Sequence, residues 1–351
     1  MAAARGKGWA LASVTIVGGG IFGLACAWEM VRRGTAVHVI ERDRIGAGSS
    51  GGHVGALAPH APENWNDKKQ VQLDSLLMAE AFWRGVEAAS GLPSGHARTG
   101  RVQPLTDAAD PKIAARIEAA ALRWPAGIGM RILDDPGTGP APLSPSGRWL
   151  WDGLTARISP RAALTALAGA IRAAGGRITE GAEPSETTGP VLWATGAPGL
   201  AALTQALDRP IGTGVKGQSL LLDFAAPDAP QIFAEGLHIV PHADGTTAIG
   251  STSENRFDHD RPDEQAGELL DRARALCPAL RDAPMIESWA GIRPRARSRA
   301  PLLGAWPGRP GHYVVNGGFK IGFGMAPRIA QVMADLILDG RDTIPEGFRL
   351  T

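Results

Sequence analysis

The order of apolar and polar positions predicts a regular start to the chain. The run "VTIV" is short and β-branched, which is typical of a strand. An apolar pattern of helical period follows as far as Arg33, and "TAVHVIE" then predicts a second strand ending at Glu41. Near the other end, "APRIAQVMADLILDG" has apolar residues at helical spacing and predicts a helix that ends at Gly340.

A glycine motif joins the first predicted strand to its helix. Gly18 fits a tight turn, Gly20 allows a pyrophosphate to approach, and Gly23 allows helix and strand to pack closely. The start of the helix supplies backbone amides for the phosphates. Glu41 lies 23 residues after Gly18, about where an acid accepts from ribose hydroxyls. The segment therefore predicts a dinucleotide site that includes two further residues of the helix start, Ile21 and Phe22.

Composition excludes several other classes of protein. The 351 residues carry a net charge of +1, which gives no sign of a nucleic-acid or membrane-surface partner. No apolar run approaches the roughly 18 residues of a membrane span. The two cysteines lie far apart in the sequence, which argues against a zinc site or a disulfide scaffold. We therefore expect a cytoplasmic protein without a metal.

Two further segments favour FAD over NAD. The stretch after Glu41, "RDRIGAGSSGGHVGAL", is a second loop rich in glycine and serine, more than NAD requires. Its backbone amides and hydroxyls are suited to a second phosphate and lead toward a flavin ring; the candidates are Arg42, Gly48, Ser49, Ser50 and Gly55. Later, an apolar strand in "GPVLWATGAPG" ends at Thr195 and Gly196, at the carboxyl end where open α/β sheets bind ligands.

These segments together resemble the D-amino-acid-oxidase-like family of FAD enzymes, and among them the glycine oxidase and sarcosine oxidase type. "VKGQSL", "HIVPHADGTTAIGSTSE", "WAGIRPRARSRAPLLG" and "GGFKIGFGMAP" follow in the order and spacing of that family. The resemblance implies an α/β architecture with two domains. A Rossmann-like FAD domain is expected from residues 11–85, 150–205 and 292–345, and a mixed-sheet substrate domain from residues 86–149 and 206–291.

The resemblance also implies a chemistry. Such enzymes oxidise an amine or amino acid that carries a carboxylate, by hydride transfer to the flavin, and oxygen reoxidises the flavin to give hydrogen peroxide. The residues to find are then anchors for the substrate. Arg293 matches the residue that holds the substrate carboxylate, Lys320 is expected beside the flavin, and His238 stands where relatives commonly have a pocket tyrosine. A histidine there would make the pocket polar and pH-dependent.

Further positions are expected to contact FAD through the same resemblance. Arg293 and Lys320 face the flavin as well as the substrate. The glycine-rich stretch around Lys320 would run beneath the flavin ring and includes Gly317, Gly318, Phe319 and Ile321. Only eight residues, 182–189, stand where the family has a small β-meander, and Ala182 is our choice for the backbone contact to adenine. His53 lies near the loop where some relatives attach FAD covalently, but we expect non-covalent FAD.

Three alternatives remain open at this point. A dehydrogenase of the same family would pass electrons to a quinone or a carrier protein. An FAD enzyme acting on a carboxymethylaminomethyl group of tRNA is a near relative, and alternating arginines at 293, 295, 297 and 299 would suit phosphates if they share one face of an extended chain. A flavin-binding protein without catalysis is the third. Oligomeric state and exact substrate are not predicted, nor is a role for the polar segment 60–70.

Overall fold

The structure is a computed structural model that describes residues 13–350 except 138, 186 and 188. Sixteen strands lie in this part of the chain: β1 Ser13–Val17, β2 Ala36–Glu41, β3 Ala56–Leu57, β4 Arg101–Pro104, β5 Met130–Leu133, β6 Trp149–Asp152, β7 Ala156–Arg157, β8 Arg177–Glu180, β9 Val191–Trp193, β10 Gly212–Asp223, β11 Gln231–Ala234, β12 Leu237–Pro241, β13 Thr246–Gly250, β14 Met285–Ala296, β15 Leu302–Ala305 and β16 His312–Asn316. Its seven α-helices are α1 Ile21–Arg32, α2 Asp67–Ser90, α3 Pro111–Arg123, α4 Pro160–Ala173, α5 Gly196–Ala206, α6 Gln265–Leu276 and α7 Gly322–Asp339.

The first sheet has six strands in the order β15-β16-β9-β1-β2-β8. All neighbouring pairs are parallel except β15 with β16. β1 lies between β2 and β9, so the carboxyl ends of three strands meet beside the start of α1. This is a Rossmann-like arrangement, and it confirms the strand, glycine loop, helix and strand predicted from residues 13–41.

The second sheet has eight strands in the order β14-β10-β13-β12-β11-β4-β6-β5. It is mixed, because β4 and β11 pair in parallel while the other neighbours are antiparallel. The twelve-residue strands β10 and β14 form its longest pair. A separate apolar cluster lies under this sheet and includes Leu220, Ile232 and Leu269 of α6. The middle of this sheet thus has its own core, while Met130 of β5 and Leu150 of β6 belong to the core of the first sheet.

Helices α1, α2, α4 and α7 form the core on one side of the six-stranded sheet. Helix α1 is apolar nearly all round, and eleven of its twelve residues are buried. Arg33 at its end pairs with Asp335 of α7 at 2.8 Å. Helix α7 ends at Gly340, which has a left-handed φ of 66°, and this confirms the predicted helix end.

Helix α5 connects the two sheets, since it packs against β10 and β14 of one and β16 of the other. Residues 11 and 12 of the expected FAD domain lie outside the described residues. Two of the expected domain boundaries, at 150 and 292, fall within β6 and β14, and both strands belong to the eight-stranded sheet. The domain boundaries stay a prediction. Within the described residues, no helix is both long enough and apolar enough to span a bilayer.

Candidate active site

The first glycine loop has no room for side chains. A Cβ added to Gly18 would lie 2.4 Å from the carbonyl oxygen of Ala194, and Gly18 has a φ of +115°. A Cβ added to Gly23 would lie 2.0 Å from the carbonyl oxygen of Gly18. Gly20 precedes the first residue of α1 and faces the Ser50 hydroxyl. The loop and the helix start therefore form a cradle of bare backbone, which suits a pyrophosphate.

Glu41 ends β2 and holds the glycine loop in place. Its carboxylate accepts hydrogen bonds from the backbone nitrogens of Gly19 at 2.7 Å and Asp43 at 2.9 Å. An ionised carboxylate has about four acceptor sites, so acceptor capacity remains for ribose hydroxyls. The Ala182 nitrogen donates to the backbone oxygen of Glu41 at 3.1 Å. Because that N–H group already has a partner, the Ala182 carbonyl is the group left for an adenine contact.

The second glycine loop packs against the first. Residues Ser49–Gly51 form a 3-10 turn, and the Ser50 hydroxyl accepts from the Ile21 nitrogen at 3.1 Å. Gly55 has a φ of +63°, and a Cβ there would lie 1.8 Å from the Ile158 carbonyl oxygen. Ser50 therefore satisfies one free N–H group at the start of α1, as a capping side chain does, which places both loops on one phosphate-binding edge.

The third predicted segment closes the same edge. Thr195 follows β9, and Gly196 begins α5. The Gly196 carbonyl oxygen accepts a hydrogen bond from the Asn316 side chain at 2.9 Å. Sequence reasoning missed Trp193, which lines the cavity beside Thr195. Its indole nitrogen donates to His312 at 2.9 Å, and its ring lies edge-on to Trp306 at 5.7 Å between centroids.

Arg293 projects from β14 and is only 8% exposed. Its guanidinium lies over Gly217 of the neighbouring strand β10, and its Nη1 donates to the Thr252 carbonyl at 3.1 Å. Burial lowers the pKa of Arg293 to about 10, although the negative charge of Glu254 opposes that shift. At neutral pH, Arg293 is therefore a buried cation on the wall of the cavity.

Lys320 lies in the turn between β16 and α7, and this turn is fixed to β14. Phe319 has a left-handed φ of 44°, and its nitrogen donates to the Pro294 carbonyl at 3.1 Å. This bond brings Lys320 beside Arg293. The pKa of Lys320 is lowered by partial burial and then by the positive charge of Arg293. Two cations thus line the same cavity: Arg293 is buried, whereas the Lys320 side chain is largely exposed.

His238 lies on β12 and faces the same cavity. Its ring packs on Phe233 at 4.6 Å between centroids, and its Nδ1 has no hydrogen-bond partner. Burial, then the positive charges of Arg101 and Lys320, lower its pKa to about 3. His238 is therefore neutral at ordinary pH. The expected polar side chain is present, but the expected pH dependence of the pocket is wrong for this histidine, because burial and then nearby cations disfavour its charged form.

One cavity of about 1470 Å³ joins these parts. It exceeds the 300–1,000 Å³ of typical ligand pockets, so a dinucleotide and a small substrate fit together. Its lining includes most of the predicted site residues: Gly18, Gly20, Ile21, Phe22, Glu41, Arg42, Gly48, Ser49, Ser50, Gly55, Ala182, Thr195, Gly196, His238, Arg293, Gly318, Phe319 and Lys320. Three predicted positions do not line it, namely Gly23, Gly317 and Ile321.

Gly23 and Gly317 act behind the wall of the cavity. A Cβ on Gly317, whose φ is +75°, would lie 2.9 Å from the Ala296 Cβ, so this glycine permits close packing. Ile321 packs against the main core.

Trp289 and Ser219 line the cavity and were not predicted. The signal for Trp289 was its place directly before the "AGIRP" motif.

Three further sequence features have a place in the structure. The four arginines of 293–299 do not share one face, because β14 ends at Ala296 and Arg299 has a left-handed φ of 58°. The segment 60–70 contributes no residue to the cavity lining. His53 does line the cavity, is 4% exposed, and has its Nδ1 3.2 Å from the Ser219 hydroxyl.

Comparison with known proteins decides the family. The sequence profile of the family described as FAD dependent oxidoreductase matches residues 13–336. The chain belongs to this family. FAD is therefore its cofactor, and the bare-backbone cradle between Gly20 and Ser50 fits the dinucleotide.

Relatives within the family cover most of the chain. Glycine oxidase of Geobacillus kaustophilus is 26% identical, and the match covers 92% of each chain. The putative thiamine biosynthesis oxidoreductase of Rhizobium etli is 28% identical over 93% of this chain and 96% of its own. Among solved structures, iminodiacetate oxidase from Chelativorans sp. BNC1 has a TM-score of 0.81 at 21% identity, covering 96% of this chain and 98% of its own. The FAD-dependent oxidoreductase fold is thus shared over nearly the whole length.

Proposed function

We propose that this FAD-dependent oxidoreductase oxidises a small amine or amino acid that carries a carboxylate. One observation supports this most strongly: Arg293 and Lys320 lie together in the cavity that also contains the FAD cradle. Neither has a carboxylate partner within 4 Å among the described residues. Two cations that form no ion pair with a carboxylate of the described residues favour an anionic ligand. Glycine and iminodiacetate, named for two of the relatives, both carry a carboxylate that could meet these cations.

Arg293 is the proposed anchor of the carboxylate. A guanidinium has five N–H donors in a planar fork, and only one of them is used on the Thr252 carbonyl. The remaining donors can bind both oxygens of a carboxylate. Lys320 supplies a second positive charge from the turn that is bonded to β14 beside Arg293. Together they would hold the carboxylate end of the substrate and leave its amine end free to meet the bound cofactor.

The chemistry requires little else from the chain. When bound, FAD accepts a hydride from the substrate carbon at its flavin ring. The protein contributes position and the exclusion of water, which Trp289 and Phe319 support by presenting apolar surface to the cavity. His238 is neutral there and offers a hydrogen-bonding atom without a charge. Arg293, Lys320 and His238 are thus proposed as the residues that contact the substrate.

The electron acceptor and the mode of FAD attachment are also proposals. We propose oxygen as the acceptor, with hydrogen peroxide as product, and non-covalent FAD. The first is tested by measuring oxygen consumption and peroxide formation in the same assay, where equal amounts are expected. Turnover with a quinone or dye but without peroxide would show a dehydrogenase instead. We further propose a cytoplasmic location, because Cys26 and Cys277 are both unpaired and buried.

The substrate class is tested by an anaerobic stopped-flow screen of flavin bleaching. Each carboxylated amine is paired with its analogue that lacks the carboxylate: glycine with methylamine, and sarcosine with dimethylamine. The proposal predicts at least about tenfold slower bleaching for an analogue that has lost its only carboxylate, equivalent to about 1.4 kcal/mol. Equal bleaching by both members of every pair would overturn it.

A further inference from the structure

A lysine is fully buried in the sheet beneath the proposed substrate anchor. Lys216 on β10 is 1% exposed. Its Nζ donates to an Asp263 carboxylate oxygen and lies 3.3 Å from Glu254 Oε2. The backbones of Lys216 and Glu254 also exchange two hydrogen bonds, of 3.0 and 2.9 Å. A buried charge is tolerated only when it is paired, so Lys216 needs both carboxylates close by. Its ion pairs therefore hold residues 254 and 263 against the middle of β10.

The neighbouring glutamine extends this network to Thr252. The Gln218 side-chain nitrogen donates to Glu254 Oε1 at 3.0 Å and to Asp263 Oδ1 at 2.6 Å. The Thr252 hydroxyl accepts from the Gln218 backbone nitrogen at 2.8 Å and donates to Glu254 Oε1 at 2.5 Å. Thr252 therefore has its position set from two sides.

The network ends at Arg293. The Thr252 carbonyl accepts from Arg293 Nη1 at 3.1 Å. On its other side the guanidinium lies against Gly217, where an added Cβ would be 1.6 Å from Nη1. The guanidinium is thus held between one carbonyl group and one stretch of bare backbone, which leaves no room for a side chain at residue 217.

Glu254 has a second part in this arrangement. Its negative charge is near enough to oppose the lowering of the Arg293 pKa. Its two oxygens are nevertheless bound by Lys216, Gln218 and Thr252 rather than by Arg293. Because these three residues bind the Glu254 carboxylate, the free guanidinium donors of Arg293 stay available to the cavity.

We propose that Lys216 and Gly217 are positioning residues that orient Arg293 for the substrate carboxylate. The proposal rests on the carboxylate-anchoring role proposed for Arg293. Lys216 acts through residues 252–254, and Gly217 acts by leaving space for the guanidinium. Neither residue lines the cavity, so both act without contact with the ligand.

The test uses the FAD-loaded enzyme and glycolate, a carboxylate without an amine. The dissociation constant of glycolate is read from the change in flavin absorbance. We expect Gly217→Ala and Lys216→Met to raise this constant at least about tenfold, equivalent to about 1.4 kcal/mol. Lys216→Arg should recover part of the loss, because it keeps the charge. Gly214→Ala is the matched control, since its Cβ would meet the Ile292 side chain instead of Arg293.

A double-mutant cycle separates orientation of Arg293 from general damage to the fold. In the Arg293→Ala background, Gly217→Ala should weaken glycolate binding no further. Thr252→Val, which loses only the hydroxyl, replaces Lys216→Met if that variant does not retain FAD. The positioning role of Lys216 and Gly217 would be overturned, and the anchoring role of Arg293 kept, by one combination of results. Glycolate would bind as in the wild type to Gly217→Ala and to Lys216→Met or Thr252→Val, but weakly to Arg293→Ala. Wild-type binding in Arg293→Ala itself would instead overturn the proposed carboxylate anchor.

Discussion

The Ser50 hydroxyl accepts a hydrogen bond from the Ile21 backbone nitrogen at 3.1 Å, across 29 residues of sequence. The second glycine loop thereby caps the helix that the first glycine loop begins. Helix caps of this kind contribute about 0.5–2 kcal/mol, so Ser50→Ala should weaken FAD binding by roughly 2- to 30-fold. Ser50→Thr keeps the hydroxyl and is the matched control. Fluorescence titration of the apoprotein measures both, and equal weakening by the two variants would contradict the capping role.

The first glycine loop gives a second prediction. Gly20→Val should abolish FAD binding, because a branched side chain would enter the bare-backbone cradle beside Ser50. Glu41→Ala should only weaken it, since each charged hydrogen bond is worth about 1.5–3 kcal/mol. The measurement is FAD affinity by fluorescence titration. Unchanged affinity in Gly20→Val would mean that the dinucleotide lies elsewhere.

Lys320 gives a prediction about alkaline pH. Its pKa is lowered by burial and by Arg293, so it loses its charge at a lower pH than an ordinary lysine. Glycolate binding should therefore weaken as pH rises through that pKa. In Lys320→Arg this alkaline loss should move to higher pH, and in Arg293→Ala it should also move upward, because the neighbouring cation is gone. An alkaline limb at the same pH in all three proteins would rule out Lys320 as its source.

His238 gives a prediction about acid stability. The pKa of His238 is about 3 in the folded protein and 6.5 for a free histidine in the unfolded chain. Below pH 6.5 the unfolded chain therefore binds a proton that the folded protein does not. Stability should therefore fall as pH drops from 6.5 toward 3. His238→Asn should lose less stability over this range. Some loss should remain, because burial also lowers the pKa of His96 to about 4. Thermal unfolding at pH 7, 5 and 4 makes the comparison, and parallel curves would contradict it.

Local patterns were enough to predict the cofactor half of the fold. The strand, the glycines at 18, 20 and 23, and the acid at 41 are adjacent in sequence, and each has a local steric or hydrogen-bonding reason. The family resemblance then placed Arg293 and Lys320, 27 residues apart, on one cavity. The local motifs and the family resemblance together correctly indicated an α/β FAD enzyme.

Long-range contacts could not be read in the same way. The alternating arginines suggested one extended face, but the strand stops at Ala296 because the chain turns there. His238 looked like a titrating group, yet burial and then the positive charges of Arg101 and Lys320, which lie far away in sequence, lower its pKa. The contact of Ser219 with His53 joins residues 166 positions apart, and no local pattern marks it.

The central claim is that Arg293 holds the carboxylate of the substrate, and single-turnover reduction of the flavin tests it most directly. Loss of one partner of a buried charge pair costs about 2–5 kcal/mol, so Arg293→Ala should lower the second-order rate constant of flavin reduction by roughly 30- to 3,000-fold. Arg293→Lys should recover only part of it, since the forked geometry is lost. FAD content, measured on the same samples, shows whether the cofactor site is intact. Flavin reduction in FAD-loaded Arg293→Ala at the wild-type rate, with the best carboxylated substrate, would contradict the account.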